Sequence, residues 1–374
     1  MKKIKICHIT SAHNRYDGRI FAKQCTSLAK KYDVTLLCCD EFDDEVKNNV
    51  KIISTGKKLK NIYERLFFSK RYLKKKCNEI NADVFQLHDP ELLSLVNYLK
   101  KKKKIVIFDS HEDHVSLFLE RQWIPKVFRK ILMYIYAYYE RKNLKKIDYV
   151  ICAADHIKER IKLININCDI IPNYPILENS IEKKQDANKL TLCFAGTINK
   201  FWNHDVIIKA IQDIENVNYL LIGNCSEEYK NYLKSIDKNC KTVFKGKLSY
   251  EEVKKNYCFS DVGIALCSYR PNVDYKNGSL GITKIFEFMM YKMPVIFTDF
   301  KVFKKINNKK KYGIAVNPYN VTDVKSAILK FKNNRKIIEE YGINGRSLIE
   351  TQYNWNVLEK KLFNIYDFVL SERK

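Results

Sequence analysis

The feature that most constrains this chain is an alternation, sustained along most of its length, of short β-branched apolar runs with segments whose apolar residues recur at helical spacing. An unbroken apolar run suits a strand buried on both faces, and parallel strands need crossover helices, so the alternation predicts βαβ units and a doubly wound sheet. In the first half the runs are Ile4 to Thr10, Asp33 to Cys39, Val50 to Ser54, Asp83 to Leu87, Lys104 to Phe108 and Asp148 to Cys152. Phe21, Cys25 and Leu28 mark the helix between the first two. The pattern stops at Ile171-Pro172-Asn173-Tyr174-Pro175, where two prolines and a polar stretch to Asn188 read as a linker. It restarts with Leu190 to Ala195, Asn218 to Ile222, Lys241 to Phe244, Asp261 to Leu266, Pro294 to Phe297 and Gly313 to Val316. The expected organisation is therefore a Rossmann-like α/β domain over 1–172, a linker over 173–189, a second such domain over 190–354 and a terminal helix over 355–374. Leu358, Leu362, Ile365 and Val369 give that helix one apolar stripe, which must pack on something.

Size agrees, since 374 residues exceed what one hydrophobic core usually organises. The 12 cysteines fall mostly singly inside apolar runs without a CxxC pair, so they read as small buried hydrophobes in a reduced cytoplasm. The N-terminus opens with Met1-Lys2-Lys3, but Lys5, His8, Ser11 and His13 break the apolar stretch behind it, which fits a first strand rather than a secretory leader. The longest apolar stretch, Ile131 to Tyr139, falls far short of a membrane span. A net charge of +25 favours anionic partners, although an abundance of Lys and Asn beside scarce Gly and Pro makes part of it compositional.

Ligands of open parallel sheets bind beyond the carboxyl ends of the strands. After the first strand comes a polar loop, Thr10 to Arg19, holding His13 and Asp17 and lacking the GxGxxG of a dinucleotide site; Asp17 as a helix N-cap is an equal reading. After the fourth stands His88-Asp89-Pro90-Glu91, and after the fifth Asp109-Ser110-His111-Glu112-Asp113-His114. His111 sits where an imidazole can donate to a sugar hydroxyl. The spacing of His111, Glu112, Asp113 and His114 matches no metal-ligand pattern and there is no Asp-x-Asp, so no metal is expected. The most informative segment runs from Asn277 to Ile296: a loop with Gly278 and Gly281 enters a helix that buries Ile282, Ile285, Phe286 and Met289. Glu287 interrupts it, and the paired hydroxyls of a ribose would give that carboxylate its reason, with Lys284 one turn earlier available to phosphate. A simple Lys284–Glu287 pair is the alternative.

This segment resembles the donor-site signature of the retaining glycosyltransferase family 4, of GT-B architecture, in which two glutamates eight positions apart precede a Met-Ala-x-Gly-x-Pro-Val-Ile run. Glu287 matches the second glutamate. The resemblance extends to the opening His8-Ile9-Thr10-Ser11, the His88 and His111 loops, Pro172-Asn173, Phe194-Ala195-Gly196 and Phe244-Lys245-Gly246. It implies two Rossmann-like domains facing a cleft, with the terminal helix packing back on the first. It implies donor contacts at Glu287, Lys284, Gly281, Ser279, Lys200 and Gly196, a sugar contact at His111, and an acceptor side with His13, Asp17 and His88. Two departures stand out. Ser279 takes the place of the first glutamate, and Thr197 and Trp202 stand where an Arg and a Lys commonly grip the diphosphate.

The expected activity is transfer of a hexose from a nucleotide diphosphate sugar, with retention, to a glycan in polysaccharide biosynthesis, with no cofactor. Basic residues interleave with aromatic ones from Lys57 to Lys76 and from Trp123 to Lys142, which suits an anionic membrane surface, a peripheral cytoplasmic location and a lipid-linked acceptor. Outward-turned charges on ordinary helices are the bland alternative. A non-catalytic relative of the same fold and a nucleotide-sugar epimerase remain open. No nucleic-acid-binding motif is present, and no such partner is expected.

Overall fold

The computed structural model describes residues 3–372 apart from 60, 68, 122–123, 180–181, 185 and 187, and for residues 62, 66–67 and 69–71 the backbone alone. Contacts divide the chain into two compact units, 1–173 with 355–374, and 174–354.

The first unit holds a sheet of eight strands: β1 (Lys5–Thr10), β2 (Asp33–Cys38), β3 (Glu45–Lys47), β4 (Val50–Ser54), β5 (Val84–Leu87), β6 (Ile105–Ser110), β7 (Tyr149–Cys152) and β8 (Cys168–Ile170). Their order is β3-β4-β2-β1-β5-β6-β7-β8, and every pairing is parallel except β3 with β4. The sequence pattern locates six of these strands. It misses β3 and β8, two edge strands of three residues each that bury little and so carry no apolar run. Cys7, Ile9, Leu37, Phe85, Leu87, Val106, Phe108 and Val150 form the core around the central strands. The strand order reverses between β1 and β5, which opens a crevice at their carboxyl ends.

The helix Trp355–Ser371 belongs to this unit. Its stripe of Leu358, Leu362, Ile365 and Val369 is buried, at about 2 kcal/mol for each side chain. The Trp355 indole N–H donates to Ser27 Oγ at 2.9 Å, and Lys30 pairs with Glu359 at 2.6 Å. The apolar stripe thus finds the first unit, as the family resemblance implies.

The second unit carries β9 (Leu190–Ala195), β10 (Val217–Ile222), β11 (Thr242–Gly246), β12 (Val262–Ala265), β13 (Val295–Thr298) and β14 (Gly313–Val316), all parallel in the order β11-β10-β9-β12-β13-β14. Here the order reverses between β9 and β12. Leu192, Phe194, Ile207, Ile211, Tyr219, Leu221, Val262 and Phe331 build its core.

Candidate functional site

In the first unit the loops after β1, β5 and β6 bring His13, His88 and His111 together. Ring centroids of His13 and His111 lie 5.0 Å apart, and those of His88 and His111 5.4 Å. Asp109, the residue before the last of β6, sits beneath them and is fully buried. Its carboxylate accepts from His111 Nε2 at 3.1 Å, faces His88 Nδ1 at 3.3 Å, and takes a forked pair of bonds from Arg19 at 3.0 and 2.6 Å. Burial alone would raise the Asp109 carboxyl; the Arg19 charge and, after it, His111 outweigh it and hold the group well below the usual carboxylate range. Arg19 also donates to the Ile171 carbonyl at 2.7 Å, and Lys23 to the Asn173 side chain at 2.6 Å, so the wide helical turn Ile20–Cys25 and its approach tie the segment around Pro172 to this site.

Asp89 is the second buried carboxylate. It accepts from Thr10 Oγ1 at 2.8 Å and the Ser11 N–H at 2.7 Å, and meets His13 Nε2 at 3.4 Å. Burial raises this carboxyl, but the His13 charge and the Ser11 and Thr10 bonds win and lower it. His13 shows the converse, since burial would lower it while Asp17 and Asp89 raise it above its ordinary value. Asp17 does what an N-cap does: its Oδ1 accepts the Arg19 and Ile20 amides at 2.8 and 2.9 Å, and Oδ2 lies 3.5 Å from His13. It reaches the cluster through His13.

The ligand atoms of His88, Asp109 and His111 fall within a metal-sized triangle of 4.8 Å. Arg19 already spans both oxygens of Asp109, so a divalent ion there would sit against a guanidinium and would have to displace its bonds. The donor set suits a hydrogen-bonded His–Asp cluster better than a metal. The sequence puts Asp109 and Arg19 in candidate loops but shows neither their pairing nor the part of Gln24, because a β-strand residue shows no sign of which helix will supply its partner.

In the second unit the loops after β9 and β12 flank the reversal point. Gly223 approaches Gly196 so closely that a Cβ at 223 would lie 1.8 Å from the Gly196 carbonyl oxygen, and both glycines carry positive φ. The Lys284 stem lies over Gly196, where a Cβ would come within 3.2 Å of its Cε. Its Nζ donates to Glu287 Oε2 at 2.8 Å, and Tyr257 OH donates to Oε1 at 3.0 Å. The Lys284–Glu287 pair that the spacing offered as an alternative is therefore formed, half-buried, directly beside the Gly196 loop. Ser279 Oγ accepts the Gly281 amide at 3.1 Å and its carbonyl the Ile282 amide at 3.1 Å, which shapes the turn into the helix Thr283–Met290. Lys200 stands exposed on the 3-10 turn Lys200–Trp202. Sequence reasoning missed Arg270, which the loop after β12 lays over the Phe201 ring with Cζ 3.5 Å from its centroid. Ser268 N–H donates to the Phe201 carbonyl at 2.9 Å, so the two loops are stitched together at the crevice.

The helix Lys126–Leu144 exposes Val127, Phe128, Ile131, Tyr134, Ile135 and Tyr138, with Val127 77% and Tyr138 70% accessible, between Lys126 and Lys130 at one end and Arg141 and Lys142 at the other. Trp123 lies outside the described residues, as do Lys60 and the side chains of Lys70 and Arg71. In the stretch expected to dock, Lys57 to Lys76, the described residues are helical over Ile62–Phe67 and Ser69–Ile80, and residues 57–59 precede them in non-helical chain. Among the described residues no helix is long and apolar enough to cross a membrane.

Comparison with known proteins accounts for both halves. Residues 175–348 match the family model "Glycosyl transferases group 1", and residues 18–174 match "Glycosyltransferase Family 4". An uncharacterized glycosyltransferase of Methanocaldococcus jannaschii is 24% identical over 289 residues, covering 71% of this chain and 69% of its own. Among solved structures, sucrose-phosphate synthase of Thermosynechococcus elongatus superposes with a TM-score of 0.78 at 13% identity, over 99% of this chain and 100% of that one. Anabaena HepE in complex with UDP-glucose gives 0.70 at 10% identity, over 97% and 99% of the two chains. With two Rossmann-like sheets of GT-B type, each half matched by its own model, the chain belongs to the group 1, family 4 glycosyltransferases.

Proposed function

We propose that this glycosyltransferase moves a hexose, with retention, from a nucleotide diphosphate sugar to a lipid-linked glycan at an anionic membrane surface, in polysaccharide biosynthesis. The observation that carries the donor half is the grouping of Gly196, Lys284 and Glu287 beside the crevice between β9 and β12. Glu287 offers two carboxylate oxygens to the ribose hydroxyls, exchanging Lys284 for them. Lys284, thus released beside Gly196, turns to the diphosphate with Lys200 and Arg270. These cations take over the charge that Thr197 and Trp202 cannot supply. His111 faces the transferred sugar; His13 and His88 line the acceptor side.

The chemistry asks for charge stabilisation on the departing diphosphate, which cationic side chains and backbone donors of a glycine loop supply. The leaving phosphate takes the proton of the attacking hydroxyl. No protein nucleophile enters the scheme, and the buried Asp109, already held by Arg19, is not free to serve as one.

The exposed apolar face of the helix Lys126–Leu144, bounded by basic residues, supports the membrane half of the reading. Each Lys or Arg near such a surface contributes about 1 kcal/mol, an attraction that decays within a Debye length. Vesicles of rising anionic lipid content should sediment the protein in proportion, salt should release it, and I131E/I135E should abolish most binding. A protein that ignores anionic vesicles at low salt yet glycosylates a soluble acceptor contradicts the membrane assignment. A screen of uridine and guanosine diphosphate sugars with and without acceptor tests the reaction itself. Transfer or slow hydrolysis supports it, conversion of the donor sugar with no acceptor present would reveal an epimerase, and no turnover of any donor would point to a non-catalytic relative.

A further inference from the structure

Six fully buried polar side chains of the first unit form a ring, hydrogen-bonded at every link but the one between His88 and Asp109, and one of them comes from the C-terminal helix. Gln24 Nε2 donates to Asp109 Oδ2 at 2.7 Å, Gln86 Nε2 donates to Gln24 Oε1, and Tyr366 OH donates to Gln86 Oε1 at 2.7 Å. On the other side Tyr366 OH lies 3.3 Å from His8 Nε2, His8 Nδ1 lies 2.9 Å from His88 Nε2, and His88 Nδ1 returns to Asp109 Oδ2 at 3.3 Å. His8, Gln24, Gln86, Asp109 and Tyr366 are 0% exposed and His88 is 1% exposed. So many polar groups removed from water are costly unless every donor meets an acceptor, and that condition fixes the direction of each bond.

The direction starts at Asp109. An ionised carboxylate only accepts, so Gln24 must turn its amide nitrogen toward it and its oxygen toward Gln86. Gln86 must then donate to Gln24 and accept from Tyr366, which uses the single hydroxyl proton of Tyr366. The Tyr366 oxygen is left as an acceptor, and His8 answers with Nε2–H. His8 Nδ1 therefore carries the lone pair, and His88 must donate through Nε2–H. Burial lowers His88, and the Asp109 charge does not restore it, so with its proton on Nε2 the imidazole is neutral and its Nδ1 faces Asp109 as a lone pair. Two acceptors, His88 Nδ1 and Asp109 Oδ2, now face His111 Nε2 at 3.2 and 3.1 Å. Only a proton on His111 Nε2 satisfies them.

We infer that Tyr366 is a positioning residue that sets the tautomer of His111: through the ring it holds the His111 proton on Nε2, so that neutral His111 presents an unprotonated Nδ1 as acceptor to a substrate hydroxyl. This refines the expectation from sequence, in which the imidazole donates. It also gives the C-terminal helix a task besides packing, because the helix supplies the hydroxyl that orders the ring. The substrate role of His111 rests on the function proposed above; the tautomer does not.

Histidine 15N chemical shifts and long-range 15N–1H couplings of the wild-type protein at pH 7.5, with His111 identified by its absence from H111N, test the tautomer directly. The expected state is Nε2–H; a dominant Nδ1–H state overturns the inference. In Y366F the ring keeps its aromatic filler but loses the hydroxyl, so His8 and His88 are free to reverse and the His111 signals should shift toward a mixture of tautomers. Turnover should fall about 10-fold, as for one buried hydrogen bond that matters in the transition state, with the affinity for UDP or GDP unchanged. Unmoved His111 signals in folded Y366F overturn the inference. Should H111A leave turnover intact, the site assignment falls, while the tautomer measurement still decides the ring.

Discussion

The carboxylates of the two units sit in opposite kinds of surroundings. Asp109 of the first unit is fully buried and held by Arg19, Gln24 and His111, each with its direction fixed by the next group in a network. Glu287 of the second is about one-fifth exposed and held by Tyr257 and by a lysine whose side chain is itself about one-quarter exposed. A group locked by buried partners changes partner only at the full cost of desolvation, whereas a half-exposed pair can trade one charged partner for another with water to assist. The first arrangement suits a site that must present one imidazole in one state. The second suits a site that must accept and release a charged nucleotide on every cycle.

The largest effect expected from this contrast is at His111. H111A should lower turnover roughly 100-fold, the scale of a positioned histidine acting in the transition state, while binding of the bare nucleoside diphosphate stays as it was. Equal losses in turnover and in nucleotide binding would move His111 to the nucleotide and erase the distinction between the units. E287Q should weaken nucleotide binding roughly 10-fold, as expected when a charge-assisted pair of bonds becomes neutral, without unfolding the protein. Calorimetry with UDP and GDP reads this, and unaltered affinity for every accepted nucleotide removes Glu287 from the donor site. At Arg270 the effect should be a few-fold and selective, since it is one of three cations sharing the load. R270M should weaken UDP or GDP and leave the nucleoside unchanged, so an equal loss for nucleoside and diphosphate would instead mark Arg270 as a support for the Phe201 loop.

The smallest effect concerns acid. Burial lowers His8, with His88 adding to the effect, and burial lowers His88 and takes His114 to about 4. These side chains are neutral in the folded first unit and gain protons more readily when it unfolds, below their ordinary value of 6.5. Stability must therefore fall as pH drops from about 6.5 toward 4. Asp89 and Asp109, lowered in the folded state, extend the loss below the ordinary carboxyl value of 3.8. His13 runs the other way, its contribution being complete below 6.5 and lost as pH rises through its raised folded value. The second unit has one comparable histidine, His204, which burial takes to about 3. Hydrogen exchange at pH 5 against pH 7.5 should show β5 and β6 losing more protection than β9 and β10. Equal losses would mean the histidines of the first unit are not buried neutral.

The sequence by itself determined the number of units, the class of both sheets and twelve of the fourteen strands, because apolar runs and helical spacing are local consequences of burial. It also placed His88, His111, Lys284 and Glu287 near strand ends or at a loop–helix junction, since a polar residue breaking an apolar pattern is visible without a fold. Tertiary structure decided the partners. Nothing local joins Tyr366 to Gln86, 280 positions away, or Arg19 to Asp109, 90 positions away, and nothing in the spacing tells that Arg270 comes to rest on Phe201. Buried hydrogen bonds are chosen by which strands lie side by side and by the order in which donors must meet acceptors, and both are properties of the packed sheet rather than of any stretch of chain.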